Sequence, residues 1–204
     1  MDSWFAFGYF FGNLRPIPRD LMRDFTLIYG CMFAGKTTRL IGLYNESQRD
    51  INEKIVIKPM LDNRYSAKTI NSHGGLQIMG HRISKAEEIF PLVTKDTLEC
   101  YIDEVQFFTP YIIEVIGELM MNGVHVIAAG LDKDYLHRDF GSMNALKKLA
   151  TEQIEVLAKC AVCSKEARYT YRTIESEDLV VVGHNDAYQA RCKTHWEEGM
   201  KGRV

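Results

Sequence analysis

Gly30-Cys31-Met32-Phe33-Ala34-Gly35-Lys36-Thr37 decides the fold. It satisfies G-x-x-x-x-G-K-[ST], the phosphate-binding loop, and its flanks suit that reading. Phe25-Thr26-Leu27-Ile28-Tyr29 predicts a short buried strand before it, and Thr38-Arg39-Leu40-Ile41-Gly42-Leu43-Tyr44 predicts the first turns of a helix after it. Strand–loop–helix context separates a phosphate cradle from a glycine-rich turn before an ordinary helix. Glycines at 30 and 35 let backbone N–H groups converge on an anion, and the helix N-terminus adds the positive end of its dipole. Lys36 can reach the β- and γ-phosphates, and the Thr37 hydroxyl can ligate Mg²⁺. The stretch predicts a nucleoside-triphosphate site built from Gly30, Met32, Phe33, Ala34, Gly35, Lys36, Thr37 and Thr38.

Outward from the loop, strands and helices alternate. Lys54-Ile55-Val56-Ile57-Lys58 is a compact β run ended by Pro59. Asp62-Asn63-Arg64-Tyr65-Ser66 and Ser72-His73-Gly74-Gly75 are polar and turn-forming, which predicts a flexible segment with a hairpin. Arg64 could neutralise phosphate charge from that segment, or it could be a solvated surface arginine. Ala86-Glu87-Glu88-Ile89-Phe90 suits a short helix. Leu98-Glu99-Cys100-Tyr101-Ile102 is the next strand and runs into Asp103-Glu104. Thr109-Pro110 predicts a helix start, threonine as cap and proline in the first turn. Its apolar stripe is Ile112, Ile113, Ile116, Leu119 and Met120, and Asn122-Gly123 closes it. Val124-His125-Val126-Ile127-Ala128-Ala129-Gly130 is a further buried strand. The pattern predicts an α/β fold of the P-loop (RecA-like) kind, with a mostly parallel central sheet flanked by helices. Ligands then gather at the carboxyl ends of the strands, so Gly30, Asp103 and Leu131 are expected to cluster.

Asp103 stands where a Walker-B carboxylate holds Mg²⁺, directly or through water. Glu104, one residue on, could take a proton from an attacking oxygen beside the γ-phosphate. That oxygen belongs to water in an ATPase and to a substrate hydroxyl in a kinase, and the residues alone do not choose. The pair could also merely cap the following turn. His125 and Cys100 sit inside strands and read as core residues.

Cys160-x-x-Cys163 and Cys192-x-x-His195 each place two soft ligands on one tight turn. Together they supply the four ligands of a closed tetrahedral zinc site, which leaves no open position for catalysis and implies a structural metal. A redox dithiol is the competing reading. From about Cys160 short polar segments replace the strand–helix alternation, so the metal would staple a lobe too small for its own core. Cys31 and Cys100 are not expected to join it. The expected division is an arm at 1–24 of no assigned role, a nucleotide-binding domain at 25–158 and a zinc-binding lobe at 159–204.

The 204 residues suit one domain, or one with a small appendage. A hydrophobic fraction of 46% with 25% charged residues is globular. Twenty-five basic against 27 acidic residues argue against coating nucleic acid or a membrane surface, where a basic excess is wanted. No apolar run reaches the ~20 residues of a membrane helix. Trp4-Phe5-Ala6-Phe7-Gly8-Tyr9-Phe10-Phe11 follows Asp2 rather than a basic residue and fails as a signal peptide. The cysteine spacing suits metal ligation rather than a disulfide frame, so a reducing, cytoplasmic setting is expected.

Taken in order, Met32-Phe33-Ala34-Gly35-Lys36-Thr37, Asp62-Asn63-Arg64-Tyr65-Ser66, Asp103-Glu104-Val105-Gln106-Phe107-Phe108, Ala129-Gly130-Leu131-Asp132, Tyr188 and the paired zinc ligands resemble the cellular type-II thymidine kinases over roughly residues 25–196. The resemblance implies transfer of the ATP γ-phosphate to the 5′-hydroxyl of thymidine, with Glu104 as base and Lys36 and Arg64 in the catalytic set. It carries the nucleoside pocket onto Met32, Phe107, Leu131, Tyr135, Thr170, Leu179, Val181 and Tyr188. It places Gly183 in the turn of a lasso loop at about Thr173–Tyr188, anchored by the zinc. It further implies a homotetramer and feedback inhibition by thymidine triphosphate. Flat, neutral, methylated thymine suits apolar walls with few polar contacts. Cys31 stands where many members have proline, Tyr135 where phenylalanine is common, His195 where some use cysteine, and Asp139 replaces a frequent proline before Phe140.

The competing class is a zinc-containing P-loop ATPase acting on nucleic acid. It would want a basic, aromatic-studded groove, against which the near-neutral charge and Glu175-Ser176-Glu177-Asp178 both speak. A GTP-binding switch would want an Asn-Lys-x-Asp stretch, and the sequence has none.

Overall fold

Alternate residues of the apolar runs bury on opposite faces of one sheet, as a period of two requires. Phe25, Leu27, Ile55, Ile57, Cys100, Ile102, Val126 and Ala128 fill one cluster. Ile28, Val56, Tyr101, Ile127 and Ala129 fill the other. The computed structural model describes residues 24–60, 69–71, 77–175 and 187–201. Its elements in chain order are β1 (Phe25–Tyr29), α1 (Lys36–Glu46), β2 (Lys54–Pro59), β3 (Thr69–Asn71), β4 (Gln77–Met79), β5 (His81–Ile83), β6 (Glu99–Ile102), α2 (Ile112–Met121), β7 (His125–Gly130), α3 (Met143–Leu149), β8 (Glu152–Glu155), β9 (Ala158–Lys159), β10 (Glu166–Ala167), β11 (Tyr169–Arg172), β12 (Tyr188–Arg191) and α4 (Lys193–Met200).

Six strands make the central sheet in the order β5-β2-β6-β7-β1-β8. Every pairing in it is parallel. Helix α1 covers one face through Leu40 and Ile41. Helices α2 and α3 cover the other through Ile112, Val115, Ile116, Leu119, Met120, Met143 and Leu146. Burial on both faces is why the central strands read as unbroken apolar runs. Because β7 lies between β6 and β1, the residues following these three strands meet at one end of the sheet.

Helix α2 begins at Ile112, two residues after the expected proline start. The carbonyls of Thr109 and Pro110 accept from the N–H groups of Ile112 and Ile113, forming a tight turn that leads into the helix. Its end is as expected, with Gly123 left-handed at φ 79°. Ile113 is half-buried, and Val115 takes its place in the core. Residues 86–92 form a 3-10 helix. The expected hairpin is the antiparallel pair of β3 and β4.

After β8 the chain builds two small antiparallel pairs, β9 with β10 and β11 with β12. The cluster there is Cys31, Ala158, Cys160, Ala167 and Ala190, with Ala34, Cys163 and Cys192 against it. Alanine and cysteine bury little apolar area, so this lobe has a slight core of its own. Two of the residues in it belong to the phosphate loop.

Candidate functional site

The loop after β1 is shaped by two glycines for different reasons. A Cβ on Gly30 would overlap the carbonyl oxygen of Val156, so the backbone can pass there only bare. Gly35 is left-handed at φ 85° and delivers the chain into α1. Lys36 Nζ folds back on the Cys31 carbonyl at 2.8 Å. Burial pushes the Lys36 pKa below the usual lysine range, while the charges of Glu104, Cys31, Asp103 and Asp132 act to raise it. A polyphosphate would supply the counter-charge that burial makes this ammonium want.

Asp103, at the end of β6, is 1% exposed. Thr37 Oγ1 donates to its Oδ1 at 3.1 Å. Lys58 Nζ, from the end of β2, lies 3.2 Å from its Oδ2. Burial, then the neighbouring Glu104 carboxylate, push Asp103 above the usual carboxylate range, while Lys58 and Thr37 pull it back. A folded pKa above the unfolded one means the native state binds the proton more tightly. The stabilisation this gives is complete below the ordinary carboxylate pKa and is lost as pH rises through the folded value. An ionised Asp103 is therefore a cost at neutral pH. Asp103→Asn is expected to raise the Tm at pH 7.5, with the difference from the parent shrinking toward pH 4. At roughly 2–4 °C per kcal/mol for a chain of this size, calorimetry reads even a small rise. A lower Tm at pH 7.5 would count against the argument.

Glu104 is itself left-handed, at φ 53° and ψ 40°, a region that non-glycine residues rarely occupy. Gln106 Nε2 donates to Glu104 Oε2 at 2.6 Å. The Leu131 N–H, just past β7, donates to Gln106 Oε1 at 3.1 Å. Leu131, expected in a substrate pocket, is thus held by the same amide that meets Glu104. Phe107 meets Phe140 edge-on at 5.5 Å. Asp132 receives Lys147 Nζ at 2.8 Å, and that ammonium also lies 3.6 Å from the centre of the Tyr29 ring.

The lobe reaches the loop directly. Met32 N–H donates to Thr170 Oγ1 at 3.1 Å. Trp196 Nε1 lies 3.2 Å from both the Tyr135 and Thr170 carbonyls. The Arg172 guanidinium stacks 3.7 Å above the Tyr135 ring. Tyr188, on β12, pairs with Arg172 across the two-stranded ladder. The Thr173 N–H donates to the Ala187 carbonyl at 2.8 Å, one residue beyond that ladder. Met32, Tyr135, Thr170 and Tyr188 are thereby joined to one small framework. Arg64, Leu179, Val181 and Gly183 lie outside the described residues.

Cys160, Cys163, Cys192 and His195 bring their ligand atoms within 4.8 Å of one another. Tetrahedral zinc with bonds of about 2.3 Å to sulfur and about 2.0 Å to nitrogen wants S···S of about 3.8 Å and S···N of about 3.5 Å. Cys163 and Cys192 sulfurs are 3.8 Å apart, and His195 Nδ1 lies 3.6 Å from Cys160 Sγ and 3.2 Å from Cys192 Sγ, a cluster of about that size. Burial works against ionising Cys160, yet the N–H groups of Cys192, Val162 and Cys163 bring its thiol down to about 6. A closed set of three thiols and one imidazole fits zinc. Cys31 and Cys100 stand apart from it; Cys31 Sγ instead donates to the Ala167 carbonyl at 3.4 Å.

A family model described as thymidine kinase matches residues 23–196. The chain belongs to the thymidine kinase family. Family membership brings kinase chemistry and nucleotide binding with it. Among solved structures, one of DNA unwinding at forked DNA by two coordinating Pif1 helicases is matched at 14% identity with a TM-score of 0.35, over 67% of this chain and 40% of that one. This chain thus spans about two fifths of that helicase's length, and a likeness so slight carries no argument. No described helix is long and apolar enough to cross a membrane.

Sequence reasoning passed over Lys58, Gln106, Arg172 and Trp196. Lys58 had a signal: a charge directly after the buried run Ile55-Val56-Ile57 of a central strand needs a partner, and β2 is registered with β6, which Asp103 follows.

Proposed function

We propose that this chain is a thymidine kinase, transferring the γ-phosphate of Mg-ATP to the 5′-hydroxyl of thymidine, and of deoxyuridine, to give the nucleoside monophosphate. One observation carries the reading: in a chain of this family, Lys36, Thr37, Asp103 and Glu104 converge where β1 and β6 end. Gly30, Met32, Phe33, Ala34, Gly35, Lys36, Thr37 and Thr38 cradle the triphosphate, and Lys36 balances charge on its β- and γ-groups. Thr37 and Asp103 would hold Mg²⁺, which when bound neutralises phosphate charge between them; a buried carboxylate within hydrogen-bond reach of the loop hydroxyl suits that ion. Glu104 accepts the 5′-hydroxyl proton as that oxygen bonds to the γ-phosphorus and the bond to the β-phosphate oxygen breaks, releasing ADP. Arg64 adds positive charge to the transferring group. Phe107, Leu131, Met32, Tyr135, Thr170 and Tyr188 wall the base and sugar, with Leu179, Val181 and Gly183 in the lasso.

The same reading divides the chain into the arm 1–24, the nucleotide-binding unit 25–158 and the zinc lobe 159–204. It makes the assembly a cytoplasmic homotetramer inhibited by thymidine triphosphate. Phosphate transfer from Mg-ATP to a panel of deoxynucleosides, with hydrolysis in their absence as control, tests it. Thymidine-dependent transfer is the expected result. Hydrolysis indifferent to nucleosides and stimulated by DNA or RNA would overturn it.

A further inference from the structure

We propose that Gln106 is the positioning residue for Glu104, and that its amide couples the loop after β6 to the loop after β7. The inference rests on the reading of Glu104 as the base. Gln106 is only 3% exposed, so its amide must find protein partners. It finds two of opposite polarity. Its Nε2 donates to Glu104 Oε2 at 2.6 Å, and its Oε1 accepts from the Leu131 N–H at 3.1 Å. That arrangement fixes the amide's orientation. A flipped amide would aim NH₂ at an N–H and a carbonyl oxygen at a carboxylate, two repulsions in place of two bonds.

The surroundings leave room for this residue and little else. A Cβ on Gly130 would stand 2.7 Å from Gln106 Oε1, and one on Gly141 would overlap the Gln106 carbonyl oxygen. Glu104, rooted in a left-handed residue, has its carboxylate aimed by a side chain that is itself fixed from the far loop. Leu131 is an expected wall of the nucleoside pocket. A shift of its backbone on substrate binding would reach the base through this amide. The coupling needs no group beyond these three residues.

The test is steady-state phosphate transfer by the full chain, using Gln106→Met, which keeps length without polarity, and Gln106→Glu, which keeps shape and the acceptor for Leu131. Each is expected to lower kcat roughly 10- to 100-fold, the scale of a reacting group displaced by about 1 Å. KM for thymidine and ATP should move by no more than about threefold. In a Glu104→Gln background either change should cost less than about twofold more, because a positioning residue has nothing left to position. A structural role would instead lower both backgrounds equally. Wild-type kcat in Gln106→Glu, or full multiplication of the two losses in the double variant, overturns the proposal. If Glu104→Gln alone retains turnover, the assignment of the base has failed; if Glu104→Gln collapses and the Gln106 variants do not, only this inference has.

Discussion

Glutamine in place of Glu104 is expected to lower kcat by about 10³-fold, inside the 10²- to 10⁴-fold range of a positioned general base. KM for both substrates should stay within about threefold. The substitution keeps volume and an oxygen for the Gln106 amide, so it removes little besides the capacity to take a proton. Its backbone argues for a special role as well. A left-handed non-glycine residue costs on the order of 1–3 kcal/mol and persists where surrounding structure holds it. Here the hold comes from both sides. The Asp103 N–H extends the β2 ladder to the Ile57 carbonyl at 2.9 Å, and the Glu104 carbonyl starts the next turn by accepting from Phe107 N–H. Stopped-flow or steady-state transfer assays, with nucleotide binding by calorimetry, read the outcome. Turnover near the parent level would remove Glu104 from the chemistry and leave water or phosphate itself as the proton acceptor.

Much of this arrangement was legible in the residues because the central strands are buried on both faces. β1 was readable to the residue, since Phe25–Tyr29 is an apolar run stopped by a glycine whose bareness the fold requires. The edge strands were not. Glu152-Gln153-Ile154-Glu155 in β8 and His81-Arg82-Ile83 in β5 pair on one side only and carry polar residues, so no apolar run marks them. The site divides in the same way. Lys36, Thr37, Asp103 and the set Cys160, Cys163, Cys192 and His195 announce themselves by spacing, because such chemistry demands fixed residue types at fixed offsets. Gln106 carries no such local signal. What gives it a role is an N–H 25 residues away in sequence, and nothing local encodes that. Thr170 holding the Met32 backbone across 138 residues is legible only in three dimensions.

Losing the metal should be the second large effect. The purified chain is expected to carry about one zinc, and Cys192→Ser should lose it. Apparent binding energies of structural zinc, about 10–16 kcal/mol near neutral pH, match or exceed the 5–15 kcal/mol net stability of a whole domain. The alanine–cysteine cluster around the site cannot make up that difference. Cys192 is also the N-cap of α4 in extended backbone, where serine caps as well as any residue. Cys192→Ser therefore keeps the helix start and isolates the ligand. Val162→Ser, in the same knuckle but 55% exposed, is the control and should change stability by less than about 0.5 kcal/mol. Limited proteolysis of the Cys192→Ser protein should cut within 158–201 while the central sheet resists, since the sheet's clusters are separate from the lobe's. Thymidine turnover should fall by at least about tenfold, because Thr170 and Ala167 would no longer brace Met32 and Cys31. The damage would then reach the phosphate loop through two identified hydrogen bonds. A metal-free protein with full turnover and an intact lobe would show that the four residues cluster without needing zinc.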